Sequence, residues 1–403
     1  MKRSIGIDAI AIAAPQGFID IVDLAEARGV PPGKYLEGLG VRRMAVAQPW
    51  EDPVALAANA GARLLSSPGV DRSKIGLCIV GSETAVDHSK PIAAFLQRLL
   101  ELPAQARVYE TKHACFGGTA GLMTALDWIA SGASRGRSAL VICTDIARYE
   151  LRSAGEPTQG AGAVAMLIKE NPRLLEIDNS TSGSWSADVD DFWRPLDRKE
   201  ALVDGQRSVQ CYLDALGGAY AEWKKAEHDA GNGAPQAELI RRVYHVPYGK
   251  MSRKAHRHIR GLDGLSEAEA DASFAEEVGT SLKLPSEVGN VYTGSLYLAL
   301  ASLLHFEAPA LEGKKIGLFS YGSGCTAEFF SGRVMAGAAA LCEALQLAAP
   351  LENRKRYTIH EYEAIRAGDA QADRTWKGEG DSRAGQFAYV GLEADARRYQ
   401  RRG

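Results

Sequence analysis

Arg107-Val-Tyr-Glu-Thr-Lys-His113-Ala-Cys115-Phe-Gly-Gly-Thr-Ala-Gly121 reads as a strand, a glycine turn and the start of a helix, and the scheme it sets extends in both directions. Arg107 to Thr111 is the strand, and apolar spacing predicts the helix from about Gly118 to Ala130. A second strand, Ala139 to Asp145, follows. Upstream, Pro53 to Leu65 has helical spacing, Ile75 to Val80 is a short buried-strand run, and Ser89 to Leu100 is helical again. Alternation of this kind predicts an α/β protein with a largely parallel sheet covered on both faces. The N-terminus alternates at Ile5, Ile7, Ala9 and Ala11, with Asp8 inside the run, and reads as the first strand rather than a signal peptide.

Farther along, Val288 to Leu304 is the least polar stretch, but Asn290, Tyr292, Thr293 and Ser295 make it a buried helix rather than a membrane span. Glu222 to Pro235 and Arg260 to Glu277 read as solvated helical faces, and the chain beyond Pro350 as a peripheral helix with a loose tail. Two strings resemble each other, Gly160-Ala-Gly-Ala-Val-Ala165 and Gly322-Ser-Gly-Cys-Thr-Ala327. Each reads as a sharp turn leading into a strand; on this feature alone a duplication and a coincidence are equally good accounts. Neither opens a helix with a ribose-binding acid beyond it, so a dinucleotide fingerprint is rejected.

The 403 residues are 46% apolar and 24% charged, enough for one large core or two to three ordinary ones, and the net charge is −3. No basic field is present to hold a nucleic acid or to coat an anionic membrane. The six cysteines, Cys78, Cys115, Cys143, Cys211, Cys325 and Cys342, are scattered and form no CxxC pair. That pattern argues for a reducing compartment and against a disulfide framework or a metal site.

Chemistry concentrates at Cys115. A cysteine that leaves a strand and precedes two glycines sits where a helix begins, a position expected to lower the thiol pKa and to offer N–H groups to an oxyanion. The competing reading is a small buried core residue, the commonest place for cysteine; Cys78, Cys143 and Cys211 keep that reading. A nucleophilic thiol needs a proton-transfer partner, and His245 in Val-Tyr-His245-Val-Pro-Tyr ends a strand-like run before a proline. His113 ranks below it, since nearness in sequence along a strand does not ensure contact. Glu83, in Val80-Gly-Ser-Glu83-Thr, follows a buried strand, so its carboxylate falls at a strand's C-terminal end, where desolvation would raise its pKa into the range of a usable base. A solvated loop glutamate is the plainer alternative.

Together these stretches resemble the 3-hydroxy-3-methylglutaryl-CoA synthase family of the thiolase superfamily along nearly the whole chain. The resemblance is carried by Gly81-Ser-Glu83-Thr-Ala-Val-Asp-His-Ser-Lys90-Pro-Ile, His113-Ala-Cys115-Phe-Gly-Gly-Thr, Thr144-Asp145-Ile-Ala and Glu156-Pro-Thr158-Gln. It continues through Asp191-Phe-Trp-Arg-Pro, Ser208-Val-Gln-Cys-Tyr-Leu, His245-Val-Pro-Tyr-Gly-Lys250-Met, Gly289-Asn290-Val-Tyr-Thr-Gly-Ser295 and Ser320-Tyr-Gly-Ser323-Gly. What it implies is a thiolase-like duplicated αβαβα five-layer fold, with halves at 1–170 and 171–403. It also implies condensation of acetyl-CoA with acetoacetyl-CoA in the mevalonate pathway of isoprenoid synthesis, through an acetyl thioester on Cys115. Glu83 would be the base and His245 the group that binds and polarises the ketone. Asn290 and the Cys115 N–H would serve the oxyanion, Ser323 would orient the acyl chain, and Asp145 and Asp191 would shape the acetyl pocket. Lys250 and Lys254, with Thr158 and Ser208, would bind CoA. The basic run from Lys250 to His258 is otherwise a solvated helix face. The resemblance further implies a cytoplasmic homodimer with no metal and no cofactor beyond its CoA thioester substrates.

Three rivals stand beside it. One is a relative that takes substrates from an acyl carrier protein to install polyketide β-branches; glycine and threonine are usual there where this chain has Val246 and Lys250. The others are a cysteine hydrolase using Cys115 and His245, and a non-catalytic thiolase-fold subunit, which would need no Glu83. One residue departs from the family pattern: Phe116 stands where tyrosine is usual. Phe116→Tyr is therefore expected to raise the acyl-transfer or hydrolysis rate, and unchanged burst and steady-state rates would contradict that.

Overall fold

The computed structural model describes residues 3–198, 200–378, 380, 383 and 386–403, the side chains of 370–374 excepted. In chain order, the strands and helices that build the main body are β1 (Ile5–Ala13), α1 (Pro53–Leu65), β2 (Ile75–Gly81), α2 (Ile92–Leu99), β3 (Arg107–Thr111), α3 (Gly117–Ala130), β4 (Ser138–Ala147), β5 (Gly160–Glu170) and β6 (Leu175–Ser186). They continue with α4 (Gly205–Asp229), β7 (Leu239–Tyr244), α5 (Gly249–Leu262), α6 (Glu267–Glu277), α7 (Ser295–Leu311), β8 (Lys315–Gly322) and β9 (Thr326–Val334). Near the C-terminus come α8 (Ile359–Thr375) and a hairpin, β10 (Phe387–Glu393) with β11 (Ala396–Arg401).

Nine strands are hydrogen-bonded in the order β7-β8-β9-β6-β1-β5-β4-β2-β3. Moving outward from the centre, β1·β5 and β5·β4 are antiparallel and β4·β2 is parallel; β6·β9 and β9·β8 are antiparallel and β8·β7 is parallel. The same sequence of pairing senses on either side of the β1·β6 join is the duplication. The largely parallel sheet expected from the alternation is overturned: of these eight pairings only β2·β3, β2·β4 and β7·β8 are parallel. Long apolar runs such as β5, buried along most of its length, look alike whichever way the neighbour points. Only the connection lengths carry the direction.

Side-chain alternation stacks five layers. On β4, Ile142 and Thr144 face α1, where Thr144 Oγ1 donates to Pro53 O at 2.7 Å, while Val141 and Cys143 face Gly121 and Gly118 of α3. From α3, Thr119 Oγ1 donates to Ser320 Oγ of β8 and meets Tyr297 OH of α7, each at 2.7 Å. The opposite face of β8 carries Phe319, edge-on to Tyr212 of α4 at 5.3 Å. Helices α3 and α7 thus lie between the two strand sets, with α1 and α4 outside. In β1, buried Asp8 is held by Arg173 at 2.6 and 2.9 Å and by Lys169 at 3.1 Å, the pairing a charge inside a sheet requires.

Other boundaries moved for local reasons. Helix α2 starts at Ile92, not Ser89, because Asp87 caps the N–H groups of Ser89 and Lys90 in a turn ahead of Pro91. The stretch read as one helix from Val288 breaks at Gly289 (φ +86°), and α7 begins only at Ser295. Gly160–Ala165 lies inside β5 and is no turn, whereas residues 323–325 do turn between β8 and β9. Helix α4 is not wholly solvated, since Trp223 and Glu227 are fully buried, and His256 and Ile259 are buried in α5.

Among the described residues, the end of the tail is packed rather than loose. Phe387, Tyr389 and Tyr399 of the hairpin are buried, and Asn59 of α1 exchanges two hydrogen bonds with the backbone of Phe387. Asp52 caps α1 at Ala55 N–H and its other oxygen accepts from Tyr399 OH at 2.6 Å and Arg397 Nη2 at 2.9 Å. Asp52→Ala removes the cap and the acceptor shared by Tyr399 OH and Arg397 Nη2, so it should cost about 2–5 kcal/mol. A clear fall in the thermal unfolding midpoint is expected, and an unchanged midpoint would mean that the hairpin is not anchored there.

Candidate active site

Glycines bring the base to the nucleophile. A Cβ on Gly81 at the end of β2, or on Gly118 in the first turn of α3, would collide with neighbouring backbone or with Cys143 Sγ, so strand end and helix start meet at a distance only glycine permits. Across that junction the Cys115 thiol donates to Glu83 Oε1 at 3.1 Å. Asp145, one strand over on β4, fixes the loop that carries Glu83. Its Oδ1 accepts from Glu83 N–H at 2.9 Å, Ser82 Oγ at 3.1 Å and Thr84 Oγ1 at 2.8 Å, and its Oδ2 from Thr293 N–H at 3.0 Å and Thr293 Oγ1 at 2.5 Å.

Burial, and then the charge of Asp145, push the Glu83 carboxyl up to about 7, against the pull of Arg194. Asp145 is also raised by burial, with its donors opposing the shift. The Cys115 thiol is pushed well above its ordinary value by burial and by the facing Glu83, which corrects the expectation of a thiol acidified by the helix N-terminus. Cys115 lies two residues before the first helical residue, and two carboxylates in a desolvated pocket outweigh partial charges at a helix end. The free site therefore rests as a thiol beside a carboxylate, and the proton leaves the thiol by way of Glu83.

His245 follows β7, with its N–H on Phe319 O at 2.8 Å and its carbonyl accepting from Tyr212 OH at 2.9 Å. The ring stacks on Tyr212, and burial drops its pKa to about 3, so the imidazole is neutral. Asn290 sits in the break before α7. Its Oδ1 accepts from Tyr292 N–H at 2.9 Å and Ser295 Oγ at 2.8 Å, which orients the amide and leaves Nδ2 as its donor end. The turn holding Ser323 lies against the nucleophile loop, where a Cβ on Gly322 would strike His113 O and the Phe116 backbone. His113 stands edge-on to Phe116, whereas the thiol's partner is Glu83. Asp191 acts on that turn, accepting from Gly324 N–H at 3.0 Å and Tyr321 OH at 2.6 Å.

Lys250 is exposed and Lys254 half-buried in the first turns of α5, and Ser208 is half-buried one turn before Tyr212 on α4. Thr158 is half-buried: its hydroxyl donates to Gly155 O at 2.8 Å and its carbonyl accepts from Asn290 N–H at 3.3 Å. Four residues were missed by the sequence reading. Arg194 binds Glu83, and Tyr149, Phe192 and Tyr292 form an edge-to-face aromatic run, with centroids 6.5 and 6.0 Å apart, whose two tyrosines feel the charges of Glu83 and Cys115. Phe192, Arg194 and Tyr292 lie in stretches that carry the family resemblance, but nothing in the position of Arg194 points to a partner 111 residues away.

Two family models match the chain, the hydroxymethylglutaryl-coenzyme A synthase N-terminal model over residues 1–172 and the C-terminal model over residues 175–276 and 260–375. The hydroxymethylglutaryl-CoA synthase of Enterococcus faecalis is 40% identical over 378 residues, covering 93% of this chain and 95% of that protein. A polyketide biosynthesis 3-hydroxy-3-methylglutaryl-ACP synthase of Bacillus subtilis is 33% identical, covering 91% and 88%. The solved structure of MvaS in complex with 3-hydroxy-3-methylglutaryl coenzyme A superposes with a TM-score of 0.95 at 50% identity over the whole of both chains.

The proton shared by thiol and carboxyl gives a direct expectation. Thiolate appears in the singly protonated pair, so alkylation of Cys115 should rise with pH through a limb near 7, set by Glu83, and rise again at alkaline pH as the thiol itself titrates. Glu83→Ala should abolish the limb near 7 and leave the thiol titration alone. Its survival, read by mass spectrometry of the Cys115 peptide, would place its origin in another group.

Proposed function

Because the chain belongs to the hydroxymethylglutaryl-CoA synthase family, we propose that this site condenses acetyl-CoA with acetoacetyl-CoA and water to give 3-hydroxy-3-methylglutaryl-CoA and CoA, the step that feeds mevalonate synthesis. The observation that carries the reading is the 3.1 Å contact between the Cys115 thiol and a carboxyl titrating near 7. A group so poised can take a proton in one step and return it in the next.

In the first step Glu83 accepts the thiol proton as Sγ attacks the acetyl carbonyl. The oxyanion is met by Asn290 Nδ2 and the Cys115 N–H, and CoA leaves as the thiol with that proton. Glu83, ionised again, removes a proton from the acetyl methyl, which the thioester has acidified. The carbanion attacks the ketone of acetoacetyl-CoA, whose oxygen accepts a hydrogen bond from His245. A neutral imidazole suits that electrophilic role: His245 gives its proton to the new alkoxide and recovers one from the Glu83 carboxylic acid, which leaves Glu83 a carboxylate again. Water activated by Glu83 then cleaves the thioester. Ser323 orients the acyl chain on the turn that Asp191 anchors, Asp145 holds the base loop and the Asn290 segment together, and Lys250, Lys254, Ser208 and Thr158 line the approach of CoA. Two halves, 1–170 and 171–403, a homodimeric state, a cytoplasmic setting and work without a resident cofactor complete the proposal.

Incubated with both thioesters, the protein should form 3-hydroxy-3-methylglutaryl-CoA, faster with the CoA-borne acceptor than with the same acceptor on a carrier protein. Preference for the carrier would favour a carrier-protein-dependent synthase like the Bacillus subtilis relative. Acetyl-CoA hydrolysis with no condensation would leave a cysteine hydrolase.

A further inference from the structure

We propose that Arg194 is a positioning residue that aims the Glu83 carboxylate at Cys115 and holds it ionised for proton abstraction. The inference rests on Glu83 as the base, as read above. One guanidinium grips the same residue twice: Nη1 donates to the Glu83 main-chain carbonyl at 2.7 Å and Nη2 to Oε2 at 3.2 Å. Oε1, the remaining oxygen, is the one that meets the thiol at 3.1 Å. With its main-chain carbonyl and one carboxylate oxygen both held by the guanidinium, Glu83 presents the other carboxylate oxygen to the cysteine.

The surroundings of the pair make the charge matter. Cys115 faces Glu83 from the loop before α3, Asp145 from β4, Tyr149 from just beyond β4, and Tyr292 from the break before α7. Each of these groups is neutral or negative, and Arg194 supplies the opposing cation. Its side chain is 19% exposed and its guanidinium lies 5.7 Å from the Tyr292 ring centroid, so solvent does little to screen it. It follows the short strand Phe192–Trp193, and Asp191 just before that strand is tied to Tyr321 and Gly324. The strand that delivers the arginine is therefore anchored to the Ser323 turn. A merely structural ion pair would leave the titration of the reaction unmoved. A cation that depresses the Glu83 pKa would not: without it the carboxyl stays protonated to higher pH.

Arg194→Met and Arg194→Lys are compared with the wild type in two profiles against pH: iodoacetamide alkylation of the Cys115 peptide, which needs no thioester, and kcat and kcat/KM for condensation. In Arg194→Met the acidic limb should rise by about one pH unit in both profiles, kcat near pH 6 should fall about tenfold, and KM for acetyl-CoA should stay within about twofold. Arg194→Lys keeps the charge and should keep the limb near its wild-type position, yet lose kcat because one ammonium cannot span carbonyl and carboxylate. An unmoved limb in Arg194→Met overturns the proposal, as does a lysine variant shifted as far as the methionine one. If thermal unfolding shows that Arg194→Met does not fold, the lysine variant decides, and a wild-type kcat in it overturns the proposal. A wild type that alkylates as described but condenses no thioesters would sink the proposed function while the alkylation profiles still judge Arg194.

Discussion

Asp145 is the constraint from which the rest of the site follows. A carboxylate with no exposure to solvent survives only with its lone pairs filled, and here five donors from Ser82, Glu83, Thr84 and Thr293 fill them. Those donors come from two places far apart in the chain, the loop after β2 and the break before α7. Satisfying one buried charge therefore brings the base and the oxyanion donor Asn290 into register.

The same arrangement decides which acid titrates. Two carboxyls lie close together in a dry pocket and cannot both keep full charge cheaply. Asp145, with five donors, is the better stabilised anion. Glu83 has the Arg194 guanidinium, its backbone tie and a thiol, so it is the one pushed to about 7. Acid–base function here is a consequence of unequal hydrogen bonding around two similar groups, and the high thiol pKa is the other side of that inequality.

Much of this was legible in the sequence, and the gaps have physical causes. The ends of α1 and β3 were read correctly because proline, polar turns and apolar spacing punctuate them. Cys115 and Glu83 stood out because each leaves a strand beside a glycine. The glycines proved to serve close packing of α3 on β2 and β4, a three-dimensional requirement that a turn signal only hints at. Strand direction was misread because a strand such as β5, buried on both faces along most of its length, has no polar face to betray its neighbours. The tail looked loose because Arg397, Arg398 and Arg401 crowd β11; Tyr399 alternates inward among them, and Arg397 turns to Asp52. Arg194 and the lost acidity of the thiol depend on groups converging from distant segments, and no local pattern encodes that.

The claim that carries the account is that the Glu83 carboxyl titrates near neutral pH because of where the fold buries it. Infrared difference spectra between the wild type and Glu83→Gln, taken across pH in the free protein, isolate its carboxyl band. The account predicts a protonated-carboxyl signal that disappears with a midpoint of about 7. A midpoint near the ordinary glutamate value of about 4.3 would contradict it.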